Sequence, residues 1–201
     1  MPSLDLLLQI WGGLGYLLAK IFLAFSEGME NGRKLRIIGW FSYLIGIPAW
    51  VILLVKNNDW VIASNDIGSI PSMILGIIIA WKQNGQVNNR YEKFVKFFTI
   101  FMIISGITYS IYHFHGITTL SQVLEIIVII GFLGGSYLLA KNNPKGWLLF
   151  SIMCISIIFL MLIQDKLLLA ILQGIAFFVT IMGFFRAKRK INQQPRHEVT
   201  E

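Results

Sequence analysis

Only one cysteine, Cys154, occurs in the 201 residues. An intrachain disulfide is therefore excluded, and with no CxxC pair so are the common thiolate metal sites. Cys154 falls inside an apolar run, where a small packing residue is expected. Charge is also scarce. Asp, Glu, Lys and Arg make 13% of the chain, against about 25% in soluble domains. There is no nucleotide-binding Gly-rich loop, no Walker motif and no nucleophile–base pattern, so neither primary energy coupling nor enzyme chemistry is expected. No cofactor is called for. The start, MPSLDLLLQIWGGLG, lacks a basic segment before its apolar run. That run is too long for a signal peptide core, so it is expected to be the first membrane span.

What is present is apolar: 56% of the residues are hydrophobic. Runs of about 20 such residues recur along the chain, the length that crosses a bilayer. The expected fold class is an all-α integral membrane protein with seven transmembrane helices and no soluble domain. The spans are expected at 3–25, 36–55, 60–81, 94–112, 119–140, 147–163 and 167–185. Gly12, Gly13 and Gly15 should let another helix approach span 1 closely. Pro48 in span 2 and Pro71 in span 3 should kink their helices. The tail 186–201 is polar and is expected to be disordered.

The basic residues test this span list. The side holding the 1–2, 3–4 and 5–6 loops and the C-terminus takes 15 of the 17 Lys and Arg, with Lys20 counted at the end of span 1. Only Lys56 and Lys166 fall on the other side. By the positive-inside rule the N-terminus is outside and the C-terminus is cytoplasmic. A net charge of +7 thus reflects membrane orientation rather than nucleic acid.

The chain also repeats itself. Residues 39–82 laid on 146–189 give eight identities in 44 positions, an offset of 107. Gly39-Trp40 falls on Gly146-Trp147, Ala63 on Ala170, Gly76 on Gly183 and Ala80 on Ala187. The turn Lys56 to Asp59 falls on the later turn Gln164-Asp165-Lys166. Tyr16-Leu17-Leu18-Ala19-Lys20 recurs as Tyr137-Leu138-Leu139-Ala140-Lys141. Two copies of a three-span unit are expected, 1–93 and 117–185, with 94–116 as an inversion linker. Displacement by four spans keeps the copies parallel, a transporter plan that puts the substrate between them.

Polar groups inside lipid are expensive and mark candidate sites. Asn65 and Asp66 lie roughly 10 Å into span 3 at 1.5 Å per residue. Gln173 is the repeat-equivalent of Asp66. Glu125, Gln9, Thr108, Tyr109 and Ser156 come near the same level. The layer suits a small-solute pocket or part of a conduction path, or else hydrogen bonds between helices as packing glue. Asp5 belongs at the headgroups. Trp50, near Pro48, could stack on a flat ring, as could Tyr43 and Tyr109. Trp40 and Trp147 are expected near the cytoplasmic edge, as in an aromatic belt, with Trp60 and Trp81 bracketing span 3. Trp147 is also carried as a solute-contact candidate. His113 and His115 in one turn are too few for a metal site.

Gly146-Trp147-Leu148-Leu149-Phe150, the turn at Gln164–Lys166, and Leu167 through Arg186 with its late Gly183 resemble the PnuC family of bacterial vitamin-precursor transporters. The three-one-three arrangement resembles the SWEET-type superfamily that contains it. Ser151 and Cys154 stand near where such proteins often carry an Asn or Asp in span 6. The Pro-Gln signature of the sugar-transporting relatives is absent. The resemblance implies facilitated uptake of a solute such as nicotinamide riboside across the inner membrane, by rocking of two bundles. It also implies a homotrimer. Two other classes stay open: a proton-coupled carrier in which Asp66 or Glu125 titrates, and a non-transporting membrane partner or sensor.

Overall fold

A computed structural model describes residues 4–29, 32–56, 59–82 and 88–193. Seven helices are long and apolar enough to cross a membrane, and no strand occurs among the described residues. The first two crossings are α1 (Leu4–Ser26) and α2 (Arg33–Lys56). The third is broken into α3 (Trp60–Gly68) and α4 (Ile70–Lys82). The fourth is α5 (Asn89–His113). The fifth joins α6 (Leu120–Ile129), a π-helical turn (Ile130–Gly134) and α7 (Gly135–Ala140). The last two are α8 (Lys145–Ile163) and α9 (Leu167–Gln193). The ends starting α1 and α9 form one face of the bundle, here the sparse end. The opposite face is the basic end.

The two prolines behave differently. Pro48 leaves α2 unbroken. Pro71 brings no N–H to the ladder, and it sits in the first turn of α4, where a helix tolerates it. Ser69 bridges the break. Its N–H is shared by the carbonyls of Asn65 (3.1 Å) and Asp66 (3.2 Å), and its hydroxyl donates to Asp66 O at 2.6 Å. The expected kink is thus a discontinuity, with Asn65 and Asp66 in the last turn before it.

The glycines of α1 act as expected. A Cβ on Gly15 would lie 3.0 Å from Gly46 Cα, so α1 and α2 meet almost backbone to backbone. The late glycine of each expected copy meets that copy's tryptophan. A Cβ on Gly76 would come within 2.4 Å of the Trp40 ring, and one on Gly183 within 2.8 Å of the Trp147 ring. Trp40 and Trp147 are therefore core residues, both fully buried, and not an interface belt. The missing side chain opens the space each indole fills.

Two further expectations change. The basic tail does not start at 186, because α9 continues to Gln193. Ala187 and the long basic side chains are good helix formers, and cations suit a helix C-terminus. The Arg186 guanidinium also lies 4.4 Å over the Phe25 ring. Lys20 does not flank the membrane. It is fully buried inside α1, because the apolar run goes on past it through Ile21-Phe22-Leu23-Ala24-Phe25. Its sequence counterpart Lys141 is followed by Asn142-Asn143-Pro144 and does end a helix. Without Lys20 the basic bias reads 14 to 2 and points the same way. Asn57 and Asn58, residues 83–87 of the 3–4 loop, and 194–201 lie outside the described residues.

Candidate solute site

A small closed cavity lies at the centre of the bundle. α1 supplies Tyr16, α2 Trp50, α3 Asp66, the π turn Phe132 and α9 Gln173. α8 closes it with apolar side chains that include Met153 and Met161. Its volume is about 30 Å³, room for roughly two waters. An aromatic cluster forms one wall. Tyr16 meets Tyr43 edge-on at 5.0 Å and Trp50 at 5.5 Å, and stacks on Phe132 at 5.7 Å. The π turn widens the helix and gives Phe132 its place; such turns recur at functional sites.

The polar atoms around the cavity are under-paired. The Tyr16 and Tyr43 hydroxyls and the Trp50 indole N–H are buried without a hydrogen-bond partner. The Tyr16 hydroxyl lies near the Asp66 carboxyl without reaching hydrogen-bond geometry. Asp66 is 5% exposed and joins no ion pair among the described residues. Gln173 is held from behind: Lys20 Nζ donates to its Oε1 at 2.9 Å and to Cys154 Sγ at 3.4 Å. Buried polar groups are normally satisfied, so this many open donors and acceptors around one void marks a place for water or a ligand.

Of the residues singled out in the sequence, Asp66, Gln173 and Trp50 meet at this cavity. Tyr43 is fully buried behind it, against Tyr16 and Phe132. Trp147 packs on Gly183 and does not line it. Asn65 turns the other way, since successive helical residues point about 100° apart. It faces a cleft of about 400 Å³ beside α5, together with Tyr109. Glu125 lines a chamber of about 240 Å³ near the sparse end. Gln9 donates to Asp5 at 3.4 Å, and Asp5 pairs with Lys56 at 3.0 Å, so both serve the surface of the sparse end. Sequence reasoning missed Tyr16, Phe132 and Lys20. For Lys20 the signal was there: an apolar run continuing for five residues beyond it.

Polar contacts tie the turns together at both ends of the bundle. At the sparse end Gln164 Nε2 donates to Asp59 at 3.2 Å, tying the 6–7 turn to the 2–3 turn. At the basic end Arg36 pairs with Glu27 at 2.7 Å and donates to Asn142 of the 5–6 turn. Lys141 pairs there with Glu92.

Fold and cavity define a multi-pass helical membrane protein with a closed, under-paired polar cavity at its centre. No family model, curated protein or solved structure matches the chain.

Proposed function

We propose that the chain is a passive transporter for a small solute, built from two parallel three-span copies joined by α5. The observation that carries this is the meeting of Asp66 and Gln173, equivalent positions of the sequence echo, at one cavity. Other equivalents behave alike. Trp50 and Ile157 both line the cavity. Tyr43 and Phe150 touch each other at 6.1 Å, as equivalent residues beside a two-fold axis do. Polar contacts at each end join copy to copy: Gln164 to Asp59 at the sparse end, and Arg36 to Asn142 with Trp147 to Glu27 at the basic end. Opening toward either side breaks the contacts at one end and keeps those at the other, so access alternates around a fixed site.

The solute we propose is a vitamin precursor such as nicotinamide riboside. Asp66 and the rings of Trp50, Tyr16 and Phe132 suit a flat cation. The Gln173 amide suits hydroxyl or carboxamide groups. A cavity of about 30 Å³ is closed on water, so the solute enters only when the copies part. The basic bias puts the N-terminus outside and the C-terminus in the cytoplasm of the inner membrane, and the chain is proposed to assemble as a homotrimer. A proton-coupled carrier is the second reading, favoured by an Asp66 carboxyl that pairs with no cation among the described residues.

The test is thermal stability of the purified protein with nicotinamide riboside, thiamine, riboflavin and simple sugars, repeated with Gln173→Ala. A ligand at 100 times its dissociation constant adds about 2.7 kcal/mol. A shift with one vitamin, lost in the variant, is expected. No shift with any of them removes the vitamin proposal.

A further inference from the structure

Two adjoining cavities of ligand size lie beside α5, outside the central one. The chamber of about 240 Å³ is lined by Asp59, Trp60, Tyr109, His113, Phe114 and Glu125. The cleft of about 400 Å³ shares Trp60, Val61 and Tyr109 with it and runs down to Asn65. Ile62 lines both the chamber and the central cavity, so the two adjoin at this side chain.

The chemistry of this double cavity is specific. Two carboxylates sit among aromatic faces. Tyr109 and His113 stack 5.6 Å apart with rings 6° from parallel, and Phe114 meets His113 edge-on. Asp59 accepts from Gln164 and feels Lys166. Glu125 has no ion-pair partner among the described residues. At the floor, Asn65 is 2% exposed, and neither its amide oxygen nor its amide nitrogen has a hydrogen-bond partner. Leaving a buried amide unpaired is costly. That cost is relieved by a ligand bringing both a donor and an acceptor. Carboxylates with aromatic faces recognise organic cations.

We propose that the chamber and cleft form an antechamber that binds a flat organic cation bearing an amide-like edge. The cationic part rests between Glu125, Asp59 and the rings of Trp60 and Tyr109, and the polar edge pairs with Asn65. Ile62 is the partition the ligand passes to reach Asp66 and Gln173. The outer placement and the passage at Ile62 rest on the transporter reading; binding in the antechamber does not. An aqueous solute and a choline-type lipid headgroup carry the same cationic chemistry.

The full chain in phosphatidylglycerol nanodiscs is titrated with 1-methylnicotinamide, a flat pyridinium, and with neutral nicotinamide. Tryptophan fluorescence is the readout, and Trp60→Phe identifies the signal from the chamber. The cation is expected to quench saturably, the neutral analogue far less, and Trp60→Phe to abolish the change. Glu125→Gln should weaken binding about tenfold, as loss of a desolvated charge partner does. Equal quenching by both compounds, or unchanged affinity in Glu125→Gln, overturns the proposal. Should Glu125→Gln fail to fold, Asp59→Asn and Tyr109→Leu carry the same expectation and the same power to overturn it. Binding lost in Asp66→Asn but kept in Glu125→Gln overturns the antechamber while supporting the central site. A failed vitamin panel beside a positive antechamber titration does the reverse. Repeating the titration in phosphatidylcholine separates the sources: competition there identifies the lipid headgroup as the occupant.

Discussion

Lys20 Nζ donates to Gln173 Oε1 across 2.9 Å in a fully buried contact between α1 and α9. No carboxylate pairs with this ammonium among the described residues; its other partner is the Cys154 thiol. A buried charge held by neutral dipoles depends heavily on each of them.

Gln173→Leu should therefore destabilise the protein by about 1.5–3 kcal/mol, the usual worth of a hydrogen bond to a charged group. Lys20→Met added to it should recover most of that loss, because the orphaned charge is gone. Thermal unfolding of both singles and the double variant checks this. Additive losses would show that the contact carries no coupling.

Gly76→Ala and Gly183→Ala should each cost about 1–3 kcal/mol by overpacking, since the new methyl would meet Trp40 or Trp147. Trp40→Phe should rescue Gly76→Ala and not Gly183→Ala. Rescue across the pairs would contradict the local packing described above.

Cys154 is fully buried, so a membrane-permeant maleimide should leave it unmodified in the native protein and label it after unfolding. On the proposed transport mechanism, a solute that parts the two halves should speed the labelling. Rapid labelling of the unliganded protein would mean that the bundle opens far more readily than its end contacts suggest.

Burial holds the Asp59 carboxyl above its ordinary range, against the opposing pull of the Gln164 hydrogen bond and the Lys166 charge. A carboxyl raised in the folded state favours the protonated form. Its contribution to stability is present below the ordinary value of 3.8 and is lost as pH rises through the folded value. Asp59→Asn should thus gain melting temperature relative to wild type on going from pH 3.5 to neutral. An opposite trend would show the Lys166 pairing to be dominant.

Much of the fold was legible because it depends on run length. Seven apolar stretches gave seven crossings, in order, with ends a few residues off. Asp66, Gln173 and Trp50 could be grouped by depth and by the echo. Depth could not decide which way a side chain faces, so Asn65 was grouped with Asp66 although the two serve different cavities. Lys20 was hidden because a lysine near the end of a run looks like a flank. Trp40 and Trp147 were misplaced because tryptophans near a helix end look like an interface belt. Only their contacts with Gly76 and Gly183 show that they fill the core. The π turn has no sequence mark beyond Gly131 and Gly134 within it and Gly135 just after it.

The pairing of Trp40 with Gly76 also bears on how the molecule is made. Both partners lie within the first 82 residues. During synthesis the first three spans can seat their largest side chain before the last three leave the ribosome, and the later spans can then seat Trp147 on Gly183 in the same way. On the proposed two-copy reading, membrane insertion proceeds as two successive assemblies, with the shared cavity closing only when the second docks on the first.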